Sequence, residues 1–273
     1  MEALAALNPR PITVVEAGTR SYLKMSATQE RLVELRRQGE IGDTLLVLQH
    51  PPTYTRGRRS EPGDLLLSPE AYASQGIEVC DTPRGGKVTY HGPGQLVIYP
   101  LIDLRRIGDQ PEGVDRIDVP GFVNSLEQAM IRALTRWRVE AAAIDGLTGL
   151  WVSRGDPIPA DATAASMAAV VASGTVRKIG SIGLKISRGI SSHGLSLNVS
   201  CGLEPFKGIT SCGIENCEVT SIELETESAP AVDEVGIAVC EELCNLLGRG
   251  FEITGPDAIQ LDIPAGTAPA ATA

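Results

Sequence analysis

Aromatic residues are scarce in this 273-residue chain, 4% of the total against 42% for all apolar residues. Its core must therefore be mostly aliphatic, and enough aliphatic side chains are present to fill a sizeable one. Basic residues are short as well: 24 Lys and Arg stand against 34 Asp and Glu, a formal charge of −10. Non-specific nucleic-acid binding needs a cationic footprint, so no nucleic-acid partner is expected. No uninterrupted apolar stretch reaches about 18 residues, so no membrane span is expected. The opening Met1–Pro9 lacks the basic n-region and apolar core of a secretory signal, and no Arg- and Ser-rich presequence is seen. These absences predict a soluble cytoplasmic protein, with bacterial cytoplasm favoured over mitochondrial matrix. The six cysteines are then expected to be reduced.

Nucleotide signatures are missing too. Gly86-Lys87 is followed by Val88 rather than Ser or Thr, so the segment is not a phosphate loop, and no Gly-x-Gly-x-x-Gly occurs. The only histidines, His50, His91 and His193, are too widely spaced to carry a metal-ligand signature. Each sits beside Pro or Gly at an expected strand end, as a pocket-lining donor or a structural residue. Cys201, Cys212, Cys217, Cys240 and Cys244 offer a zinc reading, but Cys240 and Cys244 on one helix are more simply core packing. No metal and no cofactor are expected.

Periodicity predicts helices over 21–38, 120–137 and 231–247. The first carries an apolar stripe of Tyr22, Leu23, Ala27, Leu32 and Leu35, with Gly39 as its stop. Asp118 caps the second, and Gly248 ends the third. Strands are expected over 44–49, 95–99 with 101–102, 150–152, 177–187 and 195–200, the last two joined across 188–194. Residues 154–175, rich in Ala, Ser, Gly and Pro, hold either a short helix over 162–172 or a mobile loop. Residues 263–273 are expected to be a disordered tail. No internal repeat or linker is visible, so one domain over 1–262 is expected, of the α/β or α+β class with a mixed sheet packed by helices.

Against this background three segments carry chemistry. Cys212 lies in Thr210-Ser211-Cys212-Gly213-Ile214, and Lys178 precedes it by 34 positions (212 − 178). A thiol is a capable nucleophile only as thiolate, which a nearby ammonium stabilises. A desolvated Lys also serves as a general base near neutral pH. Arg84-Gly85-Gly86-Lys87-Val88-Thr89-Tyr90-His91 then His91-Gly92-Pro93-Gly94 read as a groove wall, because glycine lets backbone approach a ligand closely. A Cys, a Lys and such a wall are the parts of an acyl-transfer site. Spacing alone does not bring Lys178 to Cys212; a Lys at a strand start is ordinarily a snorkelling surface residue. Arg56, Arg58, Arg59, Arg84, Lys87, Arg105 and Arg106 form either scattered solvated charge or one basic face for an acidic partner.

Taken in order, five blocks resemble the lipoyl(octanoyl) transferase family, the octanoyl-[acyl-carrier-protein]–protein N-octanoyltransferases. They are Leu45–Gly57, Arg84–Gln95, Lys178-Ile179-Gly180-Ser181-Ile182-Gly183, Ser192-His193-Gly194-Leu195-Ser196-Leu197-Asn198-Val199 and Cys212-Gly213-Ile214. The resemblance covers about residues 13–250 and implies the fold of biotin and lipoate protein ligase catalytic domains. It implies transfer of an octanoyl group from octanoyl-acyl carrier protein to the target lysine of lipoyl domains, the first step of protein lipoylation. The acceptors implied are lipoyl domains of 2-oxoacid dehydrogenase complexes and the glycine cleavage H protein. By this resemblance Cys212 is the nucleophile and Lys178 its acid/base partner. Arg84 to His91, Ser181 to Gly183 (with Ile182) and Gly194 to Ser196 (with Leu195) would line the acyl site. Residues 153–176 are longer than the link usual in the family, and Gly180 and Ser181 stand where many relatives carry Ala. A lipoate-protein ligase or octanoyl amidotransferase of the same fold, and a non-catalytic acyl-binding module, are the competing readings.

Overall fold

The computed structural model describes residues 10–107, 117–210 and 217–259. Cys212 and the expected tail over 263–273 therefore lie outside the described residues.

Most strands form one mixed eight-stranded sheet. β1 (Ile12–Thr19) runs parallel to β11 (Phe251–Thr254) on one side and to β2 (Thr44–Gln49) on the other. Antiparallel pairing then continues through β6 (Gln95–Leu101), β10 (Ile190–Asn198), β9 (Val176–Ser187), β8 (Leu147–Ser153) and β7 (Ala141–Ile144). A second sheet places β3 (Thr53–Arg56) between β4 (Glu78–Asp81) and β5 (Thr89–His91). Four of the few aromatic side chains, Tyr54, Tyr72, Tyr90 and Phe206, pack edge to face around this small sheet.

Helices α3 (Val119–Leu134) and α6 (Val232–Leu246) cover one face of the large sheet. Asp118 caps α3 by accepting a hydrogen bond from Gly121 N at 2.9 Å. Cys240 and Cys244 on α6 are buried in the aliphatic core, as their helical spacing predicted. Gly236 lets α6 lie against β2, since a Cβ there would sit 2.5 Å from Val47 Cγ1. Residues 154–175 take the helical alternative: α4 (Ala164–Ala172) is capped by Thr163 and packs Met167 and Val171 on Trp151.

Helix α1 (Tyr22–Gln38) covers the opposite face, on Val15, Leu46, Leu48, Val97 and Leu101. Its buried stripe differs from the expected one. Tyr22, Met25, Gln29, Leu32 and Arg36 face inward, whereas Leu23 is 53% exposed. The true stripe holds two polar residues, each with a partner, although the Gln29 Nε2 has none among the described residues. Arg36 meets Asp43 at 2.7 Å, and Gln29 Oε1 accepts from His193 N at 2.7 Å.

That last bond follows from Pro100, which sits inside β6. Its ring nitrogen has no proton to give β10. The β6–β10 ladder runs from Asn198↔Gln95 to Leu195↔Ile98 and halts where His193 and Pro100 come next. His193 takes φ +54° there, and its N–H goes to α1. The expected connector over 188–194 is therefore too long. Arg188 and Gly189, at φ +49° and +85°, make a two-residue turn, and β10 begins at Ile190. The Ser-rich run 190–192 looked loop-like because its polar groups are hidden partners: Ser191 Oγ donates to Pro100 O at 2.6 Å.

The three histidines converge beneath α1. His50 and His91 have ring centroids 5.7 Å apart, and Tyr22 stacks on His91 at 5.9 Å. His50 Nδ1 lies 2.6 Å from Arg20 O, a pure acceptor, so Nδ1 carries the proton and Nε2 accepts from Tyr99 OH at 2.6 Å. Among the described residues no group of three or more potential metal ligands is present. Burial holds His50 down to about 4 and His193 to about 4, the latter aided by the Arg84 guanidinium; burial also holds His91 well below the ordinary imidazole value.

Two predictions arise here. Gly194→Ala puts a Cβ 2.1 Å from Ile98 O and 2.5 Å from Pro100 Cδ, and is expected to cost about 1–3 kcal/mol in urea unfolding. The histidines give a pH dependence whose sign is fixed. His50 and His193 take up their protons in the unfolded chain near 6.5 but in the folded chain only near 4, so the unfolded state binds more protons between those values. Stability is therefore complete above about pH 6.5 and falls as pH drops toward 4, by about 1–3 kcal/mol per histidine. Urea unfolding from pH 7 to 4 checks this, and His50→Gln is expected to flatten the slope.

Candidate acyl-transfer site

The cavity exists because β9 is longer than β8. β8 pairs with β9 only from Val176 to Gly180. Beyond Gly180 the same edge of β9 meets the Arg84 loop instead, through Gly85 N donating to Leu184 O at 2.8 Å. Between these two partners lies a cavity of about 240 Å³.

Of the residues expected to line an acyl site, Arg84, Gly86, Lys87, Val88, Thr89 and His91 border this cavity, with Ser181, Ile182, Gly183, Gly194, Leu195 and Ser196. Gly85 and Tyr90 do not. Gly85 is spent on the bond to β9, and Tyr90 points into the aromatic cluster of the small sheet. Strand alternation explains Tyr90, which lies between the cavity residues Thr89 and His91. Of the histidines, His91 and His193 border the cavity, whereas His50 lies behind them.

Lys178 also lines the cavity and is not a surface residue: it is 5% exposed. Its Nζ donates to Thr148 O at 2.9 Å and lies 5.0 Å from the centroid of Trp151, its cross-strand partner. On its other side the backbone holds residues 218–220. Lys178 N donates to Glu218 O at 2.8 Å, and Thr220 N donates to Lys178 O at 2.9 Å. Val219, between them, lines the cavity as well.

Arg84 is buried, so it belongs to no surface patch. Its guanidinium donates to Thr55 Oγ1 and Gly85 O. Three glycines make room for it: a Cβ on Gly57, Gly86 or Gly183 would lie 2.8, 3.4 or 3.4 Å from its Nη1. Of the two readings of the basic run, the ion pairs fit scattered charge better than one basic face. Lys87 is paired with Glu61 and Asp64, Arg56 with Asp81, and Arg105 and Arg106 with Asp103. Arg58 and Arg59 remain on the surface, Arg59 beside the cavity.

A hydrogen-bond chain crosses the floor. His91 Nδ1 donates to Gln95 Oε1 at 2.7 Å, because Gln95 Nε2 donates to Tyr90 O and to Asn198 Oδ1 at 2.9 Å. Asn198 Nδ2 then donates to Thr220 O at 2.9 Å. The chain links the Arg84 segment to the strip beside Lys178. Tyr22, Tyr99, Thr148, Trp151 and Phe206 also line the cavity. Sequence reasoning missed them because each looks like an ordinary core or turn residue.

Comparison with known proteins follows the same lines. Residues 21–244 match the lipoyl protein ligase A/B catalytic domain. An octanoyltransferase of Acidobacterium capsulatum is 37% identical over 259 residues, covering 94% of this chain and 96% of that protein. The mitochondrial octanoyltransferase LIP2 of Arabidopsis thaliana is 39% identical, covering 89% and 90%. Among solved structures, the bipartite lipoate protein ligase of Thermoplasma acidophilum superposes with a TM-score of 0.65 at 13% identity, covering 92% and 90% of the two chains. A lipoate-protein ligase A bound with ATP gives 0.63 at 14%, covering 93% and 92%. At those identities the structures show the fold, the mixed sheet packed by helices that was expected. Sequence match and fold agree, and this chain belongs to the lipoyl protein ligase A/B catalytic-domain family.

Proposed function

We propose that this chain is an acyltransferase that moves an octanoyl group from octanoyl-acyl carrier protein to the target lysine of a lipoyl domain. The transfer runs through a thioester on Cys212, with Lys178 as acid and base. The observation that carries the reading is Lys178 itself, a buried amine at the wall of a small cavity. It is hydrogen-bonded through its backbone to the 218–220 strip that begins six residues after Cys212 (218 − 212). The names of the 37–39% identical relatives, octanoyltransferases, support the acyl group.

The chemistry balances with these groups. The Cys212 thiolate attacks the thioester carbon of the donor. The carbon–sulfur bond to the carrier breaks, and Lys178 gives its proton to the departing thiolate. Lys178, now neutral, takes a proton from the incoming lysine ammonium. That nitrogen attacks the new thioester, Cys212 leaves as thiolate, and the second proton on the nitrogen passes to solvent as the amide forms. Thiol-for-thiol exchange is nearly even in energy and thioester-to-amide transfer is downhill, so no ATP is consumed. A ligase of the same fold would need ATP and free acid. The small volume and the apolar side chains of Ile182, Leu195, Val88 and Phe206 suit one short acyl chain. The expected acceptors, lipoyl domains of 2-oxoacid dehydrogenases and the glycine cleavage H protein, offer such a lysine.

Intact-protein mass spectrometry with octanoyl-acyl carrier protein and no acceptor tests this. One octanoyl adduct is expected, lost in Cys212→Ser and on hydroxylamine treatment. Lys178→Ala is expected to slow overall transfer by about 10²–10⁴. Activity confined to free octanoate plus ATP would instead establish a ligase. Acyl binding without turnover, unchanged in Cys212→Ala, would establish a binding module.

A further inference from the structure

Glu127 on α3 is a buried-side acid that the reaction above does not use. It is half-buried, and its Oε1 accepts from Gly149 N at 2.9 Å. The same peptide group that gives this N–H carries the carbonyl of Thr148, which accepts from Lys178 Nζ at 2.9 Å. One peptide unit thus stands between an ammonium and a carboxylate. Its oxygen faces the positive group and its hydrogen the negative one, the orientation in which each charge strengthens the other bond.

The backbone is shaped for this arrangement. Gly149 has φ +110°, outside the range of ordinary side chains. A Cβ there would lie 2.4 Å from Gly180 O, 3.0 Å from Lys178 Cε and 3.1 Å from its Nζ. Glycine is what lets the peptide reach the amine. Trp151 closes the other side of Lys178. Burial raises Glu127 above the usual carboxylate range, while the Gly149 N–H and the Lys178 charge pull it back. Charges on neighbouring elements are already engaged: Arg177 with Glu225, and Glu218 with Arg154. Arg59, Arg84 and Lys87, the other cations on the cavity wall, add no negative charge near the amine.

We infer that Glu127 is a positioning residue for the reaction proposed above, holding the Lys178 amine in place and charged through the polarised Thr148–Gly149 peptide. The inference rests on that reading of Lys178. Glu127 touches no substrate and is not itself a catalytic group. Its contribution is to fix the direction of the Nζ protons and to keep a proton available for the departing carrier thiolate.

Two substitutions separate the carboxylate's charge from its shape. Glu127→Gln keeps an oxygen that accepts from Gly149 N but removes the charge. Glu127→Asp keeps the charge but shortens the reach. If Glu127 acts by charge, Gln is the slower of the two, with kcat down about tenfold and KM for both protein substrates unchanged. Asp recovers at least half of that loss. A purely structural role gives the opposite order, because Gln is the closer isostere. The assay uses the full chain with octanoyl-acyl carrier protein and a lipoyl domain, with thermal melting measured in parallel. Parent-like kcat in Glu127→Gln overturns the inference. So does Gln equal to or faster than Asp, or a loss that appears only in KM or tracks a lowered melting temperature. Full activity in Lys178→Ala is a different failure and overturns the functional reading itself.

Discussion

A buried strand must find partners for its backbone groups all along its length, and β9 meets this demand by changing partners. β10 accompanies it on one edge from Leu197↔Gly180 to Ile190↔Ser187. On the other edge β8 serves as far as Gly180, and the Arg84 loop takes over at Leu184. At Lys178 a further strip, residues 218–220, pairs with the strand as well. Every change of partner leaves a gap in the wall, and the cavity is the gap between the end of β8 and the start of the Arg84 loop. The site is therefore a consequence of how the sheet is partnered, with one wall from β9 and β10 and another from the Arg84 loop. Lys178, Ser181 and Ser196 project from strands, which suits groups that must be held within a fraction of an ångström.

The same constraint explains the glycines. A Cβ on Gly57 or Gly183 would meet the backbone of the Arg84 loop at 2.4 or 2.9 Å and the Arg84 side chain at 2.8 or 3.2 Å, while Gly86 holds a φ of +87°. Arg84 is then fixed by Thr55 and by its own loop. Burial pushes His91 and His193 down, the Arg84 charge pushes the same way, and that charge offsets part of the rise that burial imposes on the Tyr22 hydroxyl. A neutral His91 with Nδ1–H committed to Gln95 presents Nε2 as an acceptor. Around His91 and His193 the cavity wall thus carries the buried Arg84 cation and uncharged rings.

Much of this was legible in the sequence and some was not, for identifiable reasons. Helix ends were readable where chemistry is local, as at Asp118 and Gly39. The α1 stripe was misread because Gln29 and Arg36 face inward, Gln29 Oε1 toward His193 far along the chain and Arg36 toward Asp43 just beyond the helix. The β9–β10 turn was misplaced because Ser191 and Ser192 read as loop, while their hydroxyls bond to Pro100 and Lys185 across the sheet. The three histidines carried no ligand spacing, and their convergence is set by three strands and a helix. Lys178 by its spacing read as a surface residue; only the ordered motifs pointed elsewhere, and burial against Trp151 is a tertiary fact. Tyr90 followed simple alternation, which separates it from Thr89 and His91.

The long segment over 153–176 acquires a physical meaning from what it touches. None of its residues lines the cavity among those described, so it does not cover the site in this state. Its helix α4 instead packs Met167 and Val171 with Trp151 and Val176. Both ends are fastened: Asp145 exchanges backbone bonds with Ala162 and Ala164, and Arg154 N donates to Thr175 O at 2.9 Å. Arg154 also pairs with Glu218 at 2.8 Å, on the strip that runs beside Lys178. An aromatic face can hold a cation in a fixed direction only if the ring itself cannot turn. Here the ring is held by its indole N–H, which donates to Leu147 O at 3.0 Å, and by the apolar contacts of α4 behind it. The segment thus meets the surroundings of Lys178 through the packing of Met167 and Val171 on Trp151 and through the Arg154–Glu218 ion pair.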